Sequence, residues 1–125
     1  MIKNLLLVAV GGGVGSMARY LSQKWVSENH AHPFPWGTFL VNLAGCFFIG
    51  IVYAAAEKTT FISPQIRLLL ITGFCGGFTT FSTFAFENMN LIRGNDSLYF
   101  LTYAVASVVL GIGAVFAGIA IMKFL

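Results

Sequence analysis

Charge is what this sequence of 125 residues has least of: only 9% of its positions are Asp, Glu, Lys or Arg, against about 25% in an ordinary soluble domain. Four acids (Glu28, Glu57, Glu87, Asp96) and seven bases (Lys3, Arg19, Lys24, Lys58, Arg67, Arg93, Lys123) stand far apart, as punctuation between apolar blocks. A formal charge of +3 so dispersed makes no basic patch, which excludes nucleic acid as a partner. Cysteine is also scarce. Cys46 and Cys75 lie inside apolar blocks without a CxxC or Cys/His spacing, and read as small buried hydrophobes rather than a disulfide or metal site. No Ser/His/Asp or metal-ligand constellation is visible, and His30 and His32 fall in a polar loop, so the chain does not read as an enzyme.

Apolar residues fill that space. They make up 58% of the chain, and the mean hydropathy is +0.85. A soluble fold of this length leaves too much surface exposed to hide so much apolar area. The sequence therefore describes an all-α membrane protein, a single transmembrane domain over 1–125 solvated mostly by lipid.

A spanning helix needs ~20 apolar residues to cross ~30 Å of hydrocarbon. Residues 36–56 carry no charge and are closed by Glu57 and Lys58; residues 98–122 are equally free of charge, after Gly94-Asn95-Asp96 and before Lys123. A first helix is expected over 2–25, carrying Arg19 towards one end, where its long side chain snorkels to water. A polar loop over 26–35 ends in Pro33 and Pro35, neither of which continues a helix. Ser63-Pro64 marks the start of a third helix, expected over 64–92. Lys3 and the apolar run after it resemble a signal peptide, but three further spans follow instead of a soluble domain. The run Gly11-Gly12-Gly13-Val14-Gly15 lacks the strand, lysine and spacing of a phosphate loop, and suits two helices in close approach.

The third segment is the unusual one. Adjacent Gly76 and Gly77 each cost a helix roughly 1 kcal/mol relative to Ala, and they lie near the centre of the segment. A break is expected over 75–80, close to the bilayer midplane. Backbone groups freed at that depth must be buried in protein or face an aqueous path or an ion. A glycine kink serving packing alone fits the two glycines equally well. Thr79, Thr80, Ser82 and Thr83 then interleave hydroxyls with Phe78, Phe81 and Phe84. At 100° per residue, Phe74, Phe78, Phe81 and Phe84 form one stripe, and Thr80, Thr83 and Glu87 form a polar stripe beside it. An intramembrane carboxylate is a functional candidate by default, although Glu87 at the interface would merely be solvated. In the second span Asn42 follows Thr38 on one face. That amide either glues helices together or offers N–H donors to a dehydrated anion, beside the positive edges of phenylalanine rings.

These residues resemble the Fluc (CrcB) family of small fluoride channels. The resemblance is carried by Gly76-Gly77-Phe78-Thr79-Thr80-Phe81-Ser82-Thr83-Phe84 with Glu87, by Asn42 between Val41 and Leu43, and by Gly12 to Arg19. It implies a multi-pass protein of the inner or plasma membrane, forming an antiparallel, dual-topology homodimer with two pores between protomers. It implies that Phe81 and Phe84 receive fluoride at their ring edges and that Asn42 is the pore amide. Ser82, Thr83 and Thr38 would line a polar track towards Glu87. Tyr103 and Ser107 would face the pore from the fourth helix, where Gly111 departs from relatives that carry a hydroxyl. Arg19 would stand near the entrance. The backbone carbonyls of Gly76 and Thr79 from both subunits would hold a structural Na⁺ on the two-fold axis.

Charge placement bears on dual topology. With alternating helices, Lys3, Lys58, Arg67 and Lys123 share one side and Arg19, Lys24 and Arg93 the other. Four against three is almost no bias under the positive-inside rule, so both insertions are open to the chain. The function so implied is passive, selective fluoride export. Two rivals are a dual-topology proton-coupled multidrug exporter and a non-transporting accessory subunit. The first wants a carboxylate in its first helix, and none precedes Glu28.

Overall fold

The computed structural model describes residues 1–30 and 32–125, and it is all-helical. Four stretches are long and apolar enough to cross a membrane: Ile2–Asn29, Trp36–Lys58, Pro64–Arg93 and Ser97–Lys123. The first helix, α1 (Ile2–Asn29), runs past the expected end at residue 25. Its last turn is closed by the Asn29 side-chain amide, which donates to the Trp25 carbonyl at 2.8 Å, and by the His30 N–H on the Val26 carbonyl at 2.7 Å. The loop expected over 26–35 shortens accordingly; its Ala31 lies outside the described residues. The second helix, α2 (Trp36–Lys58), follows Pro35 directly.

The third span changes winding along its length. It opens with α3 (Pro64–Arg67), where the Ser63 hydroxyl accepts the Ile66 N–H at 3.2 Å, an N-cap placed just before a first-turn proline. Leu68–Cys75 is wound as a π-helix and leads into a single α turn, α4 (Gly76–Phe78). Thr79 and Thr80 then take extended backbone (φ −89°, ψ 158° and φ −150°, ψ 121°). Helix resumes as α5 (Phe81–Arg93). Gly76 itself is helical (φ −61°, ψ −35°), so within the expected 75–80 the interruption falls at Thr79 and Thr80 rather than at the glycine pair. The phenylalanine stripe is corrected with it, because two extended residues destroy the angular register that a continuous helix would keep. Phe74 and Phe78 stack before the interruption (centroids 5.5 Å apart, 12°), whereas Phe81 and Phe84 pair beyond it (5.8 Å, 45°). A turn through Asn95 (φ 60°), a residue type that tolerates the left-handed region, leads into α6 (Ser97–Lys123).

Packing joins α2 to α6 and α1 to the third span. Both seams depend on absent side chains. A Cβ on Gly50 would strike the Val115 carbonyl, and one on Gly118 the Phe47 carbonyl. On α1, a Cβ on Gly11 or Gly15 would strike the carbonyls of Leu69 and Phe74. The close-approach reading of the glycine run holds. Gly77 belongs to the same seam, since its Cβ would strike the Gly12 carbonyl. The glycines of α4 therefore serve contact with α1. At one end of α2 an aromatic cluster of Phe34, Phe39 and Tyr103, with Leu91, forms the best-buried core. At the other end the Lys58 ammonium donates to the Met122 carbonyl at 3.1 Å, which sets Lys58 and Lys123 at the same end of the bundle. Outward faces stay apolar and exposed, as with Leu5, Val105 and Phe116. Lipid is the solvent that suits them.

Candidate functional site

The interruption in the third span is closed by one side chain. The Asn42 carboxamide accepts the Thr80 N–H at 2.9 Å and donates to the Thr80 carbonyl at 3.1 Å, pairing with extended backbone as a neighbouring strand would. Thr80 in turn caps α5: its hydroxyl accepts the Thr83 N–H and donates to the Thr83 hydroxyl, each at 3.2 Å. The preceding turn is tied as well, since the Thr79 hydroxyl donates to the Cys75 carbonyl at 2.8 Å. Arg19 does not reach towards an end of α1. Its Nε donates to the Gly77 carbonyl at 2.9 Å, placing a half-buried guanidinium at the C-terminal end of α4, where positive charge suits the exposed carbonyls.

A second network surrounds Glu87. Thr38 Oγ1 donates to Glu87 Oε2 at 3.0 Å, and the Tyr103 hydroxyl donates to Glu87 Oε1 at 2.9 Å. Gln23 Nε2 donates to Thr38 Oγ1 at 3.0 Å, so α1, α2, α5 and α6 all contribute to holding one carboxylate. Tyr103 is wholly buried, its ring against Phe84 (centroids 4.9 Å apart) and the Phe34–Phe39 cluster.

Two cavities follow this chemistry. One, of about 290 Å³, is lined by Asn42, Cys46, Thr79, Phe81, Phe84 and Ser107 among others. The other, of about 510 Å³, is lined by Gln23, Lys24, His30, His32, Thr38, Thr83 and Glu87 among others. One helical turn separates Asn42 from Thr38 on α2, and Thr83 follows Thr80 on α5. The two cavities therefore lie end to end along the α2–α5 seam. The first is an apolar chamber with an amide and hydroxyls; the second is polar and carries ionisable groups.

Of the residues singled out by sequence, Asn42, Phe81, Phe84 and Ser107 share the apolar cavity, and Thr38, Thr83 and Glu87 share the polar one. Tyr103 stands behind the wall and acts on Glu87. Ser82 lines neither cavity; it is exposed, with its hydroxyl 3.4 Å from that of Thr80. Arg19 also lines neither. Thr79 lines the apolar cavity; Gly76 is exposed and lines neither. Gln23 was missed, because an amide next to Lys24 reads as an interfacial residue until Thr38 is placed opposite it. Cys46, which the sequence presents as a small buried hydrophobe, is half-buried and part of the apolar lining.

Comparison with known proteins gives a consistent result. The profile of the family described as "CrcB-like protein, Camphor Resistance (CrcB)" matches residues 6–119. A protein of Leptospira interrogans serovar copenhageni, named "Fluoride-specific ion channel FluC", is 47% identical over 121 residues, covering 97% of this chain and 95% of the relative. Proteins of the same name from Rhizobium etli and Flavobacterium psychrophilum are 47% and 41% identical, each covering at least 96% of both chains.

Proposed function

The chain belongs to the CrcB family, and from that premise we propose that it is a fluoride-selective ion channel which lets F⁻ leave the cytoplasm down its electrochemical gradient. The observation that carries this reading is the seam itself, where the Asn42 amide and the Phe81 and Phe84 rings line one apolar cavity. That cavity abuts a polar one holding Thr38, Thr83 and Glu87. Ring edges and a lone amide are weak anion donors in water, but they gain strength where water is excluded. Asn42 spends one N–H on Thr80, and its second remains for an anion. Only a small ion that accepts strong hydrogen bonds finds enough partners in such a passage. An inside-negative potential of 100 mV drives one charge outwards with ~2.3 kcal/mol. At ~1.36 kcal/mol per tenfold ratio this sustains roughly a fifty-fold gradient. Family membership disfavours the proton-coupled exporter, and no catalytic step is required.

The pore requires a second copy of the chain in this reading. Phe81 is 78% exposed, and Ser82 beside it is exposed too, so half of the surroundings of the ring edges is missing from one protomer. An antiparallel, dual-topology homodimer supplies the other half. The same dimer would bring two interruptions together. With the Thr80 N–H turned to Asn42, the Gly76 carbonyl has lost the donor four residues along, and the Thr79 carbonyl stands on extended backbone. Carbonyl oxygens of this kind fit a hard monovalent cation, and among the described residues no cluster of His, Cys, Asp or Glu offers a competing site. Gly76 and Thr79 of both protomers would thus hold Na⁺, whose charge would offset repulsion by passing anions.

Fluoride efflux from liposomes containing the purified chain alone tests the proposal. Rapid efflux that outpaces chloride by orders of magnitude, and declines when sodium is withheld during reconstitution, is expected. Chloride efflux comparable to fluoride would overturn the selectivity, and efflux indifferent to sodium would overturn the cation site.

A further inference from the structure

Gln23 is the member of the Glu87 network to which the channel reading gives no part. We propose that it is a positioning residue of the anion path, fixing the direction of the Thr38 hydroxyl and thereby the placement of the Glu87 carboxylate; the proposal rests on the fluoride-channel reading. A threonine hydroxyl has one proton and rotates freely about its C–O bond, so its neighbours decide where that proton points. Thr38 Oγ1 lies 3.0 Å from Glu87 Oε2 and 3.0 Å from Gln23 Nε2. A carboxylate only accepts. The proton therefore goes to Glu87, and Thr38 must accept from the other side. That requires the NH₂ end of the Gln23 amide, not its carbonyl, to face Thr38. Turned about, the carbonyl oxygen would compete for the same proton and draw it away from Glu87.

No other group in the network performs this service. Thr38 lines the polar cavity yet is only 2% exposed, so little water reaches its hydroxyl while Gln23 is in place. Tyr103 engages the opposite carboxylate oxygen and leaves Oε2 to Thr38. The backbone of Gln23 is held in place by the contact of α1 with the start of α2, where a Cβ on Gly37 would lie 3.4 Å from the Gln23 Cα. Gln23 also lines the polar cavity, so a carboxylate released by its loss would swing within the space through which the anion moves. With both oxygens held, Glu87 cannot approach the anion. With Oε2 free, it repels or blocks it.

The test is fluoride efflux from liposomes carrying the full-length wild type, Q23M, Q23E, T38V, T38S and the double variants Q23M/T38V and Q23M/T38S. Methionine matches glutamine in length but donates nothing, and glutamate matches its shape but only accepts. Q23M and Q23E are each expected to slow efflux about tenfold, the factor carried by one ordinary hydrogen bond. In the T38V background, Q23M is expected to add less than about twofold, because the hydroxyl it would orient is gone. In the T38S background, which keeps a hydroxyl, the loss of about tenfold returns. Q23M at the wild-type rate, or Q23M slowing T38V by the same factor as wild type, would overturn the proposal and assign Gln23 to packing alone. Wild-type liposomes without fluoride efflux would instead overturn the channel reading on which it rests. Q23E, isosteric with glutamine, carries the test where Q23M is not recovered as folded protein.

Discussion

Phe84→Ile lowers fluoride flux by at least about tenfold while the four-span bundle still assembles, and Phe81→Ile does the same with even less structural cost. The expectation follows from how few partners the apolar cavity offers a dehydrated anion. Isoleucine fills much of the volume of phenylalanine but has no ring edge, so it removes electrostatic stabilisation without opening a large void. Each ~1.4 kcal/mol of stabilisation lost at the crest of the barrier is a factor of ten in rate. Phe81 is 78% exposed in the protomer, and its substitution disturbs little within the chain. Phe84 packs on Tyr103, so Phe84→Ile also costs up to about 1.5 kcal/mol of stability. Size-exclusion behaviour separates that cost from the flux effect. Both variants at full flux would mean that the rings serve packing, the reading proper to an accessory subunit.

The largest effect on stability belongs to Asn42. Asn42→Leu strips the Thr80 N–H and carbonyl of the amide that pairs with both and leaves two backbone groups, with no other hydrogen bond among the described residues, beside an apolar cavity. At ~1–3 kcal/mol for each orphaned group, the loss amounts to roughly 2–6 kcal/mol. In lipid there is no water to relieve it. Asn42→Asp keeps the acceptor for the Thr80 N–H but turns a carboxylate oxygen towards the Thr80 carbonyl in place of the donor, so it too is less stable than wild type. It also places an anionic group on the anion path, so its flux is expected to fall as far as that of Asn42→Leu. Thermal unfolding in detergent and fluoride efflux together check the pair. An Asn42→Leu protein as stable as wild type would mean that the interruption closes without the amide.

Much of this architecture is legible in composition, because lipid imposes simple rules. The uncharged runs behind α2 and α6 follow from the requirement that a span be apolar, and Ser63-Pro64 marks the start of the third span correctly. What failed to read through was tertiary in origin. Gly76-Gly77 carries the poorest helix propensity in the interior of the third span, yet both stay helical; the bare backbone at Gly77 serves its packing against Gly12. The interruption moves to Thr79 and Thr80, where a side chain from another helix accepts the N–H that would have continued the ladder. Asn42 stood out as an amide in an apolar run, but nothing local identified Thr80 as its partner. Arg19 misled in a similar way: snorkelling is what an isolated helix would do, whereas here the Gly77 carbonyl offers a nearer partner. Gln23 carried no signal of its own, since its part depends on two helices meeting.

The most direct measurement is the reversal potential of single-channel or macroscopic current across a planar bilayer holding the purified chain, with unequal fluoride concentrations on the two sides and chloride making up the balance. Reversal at a potential set by fluoride alone, unmoved when chloride is exchanged for a larger anion, is the predicted result. A reversal potential that follows chloride, or one that follows the cation gradient, would contradict the account.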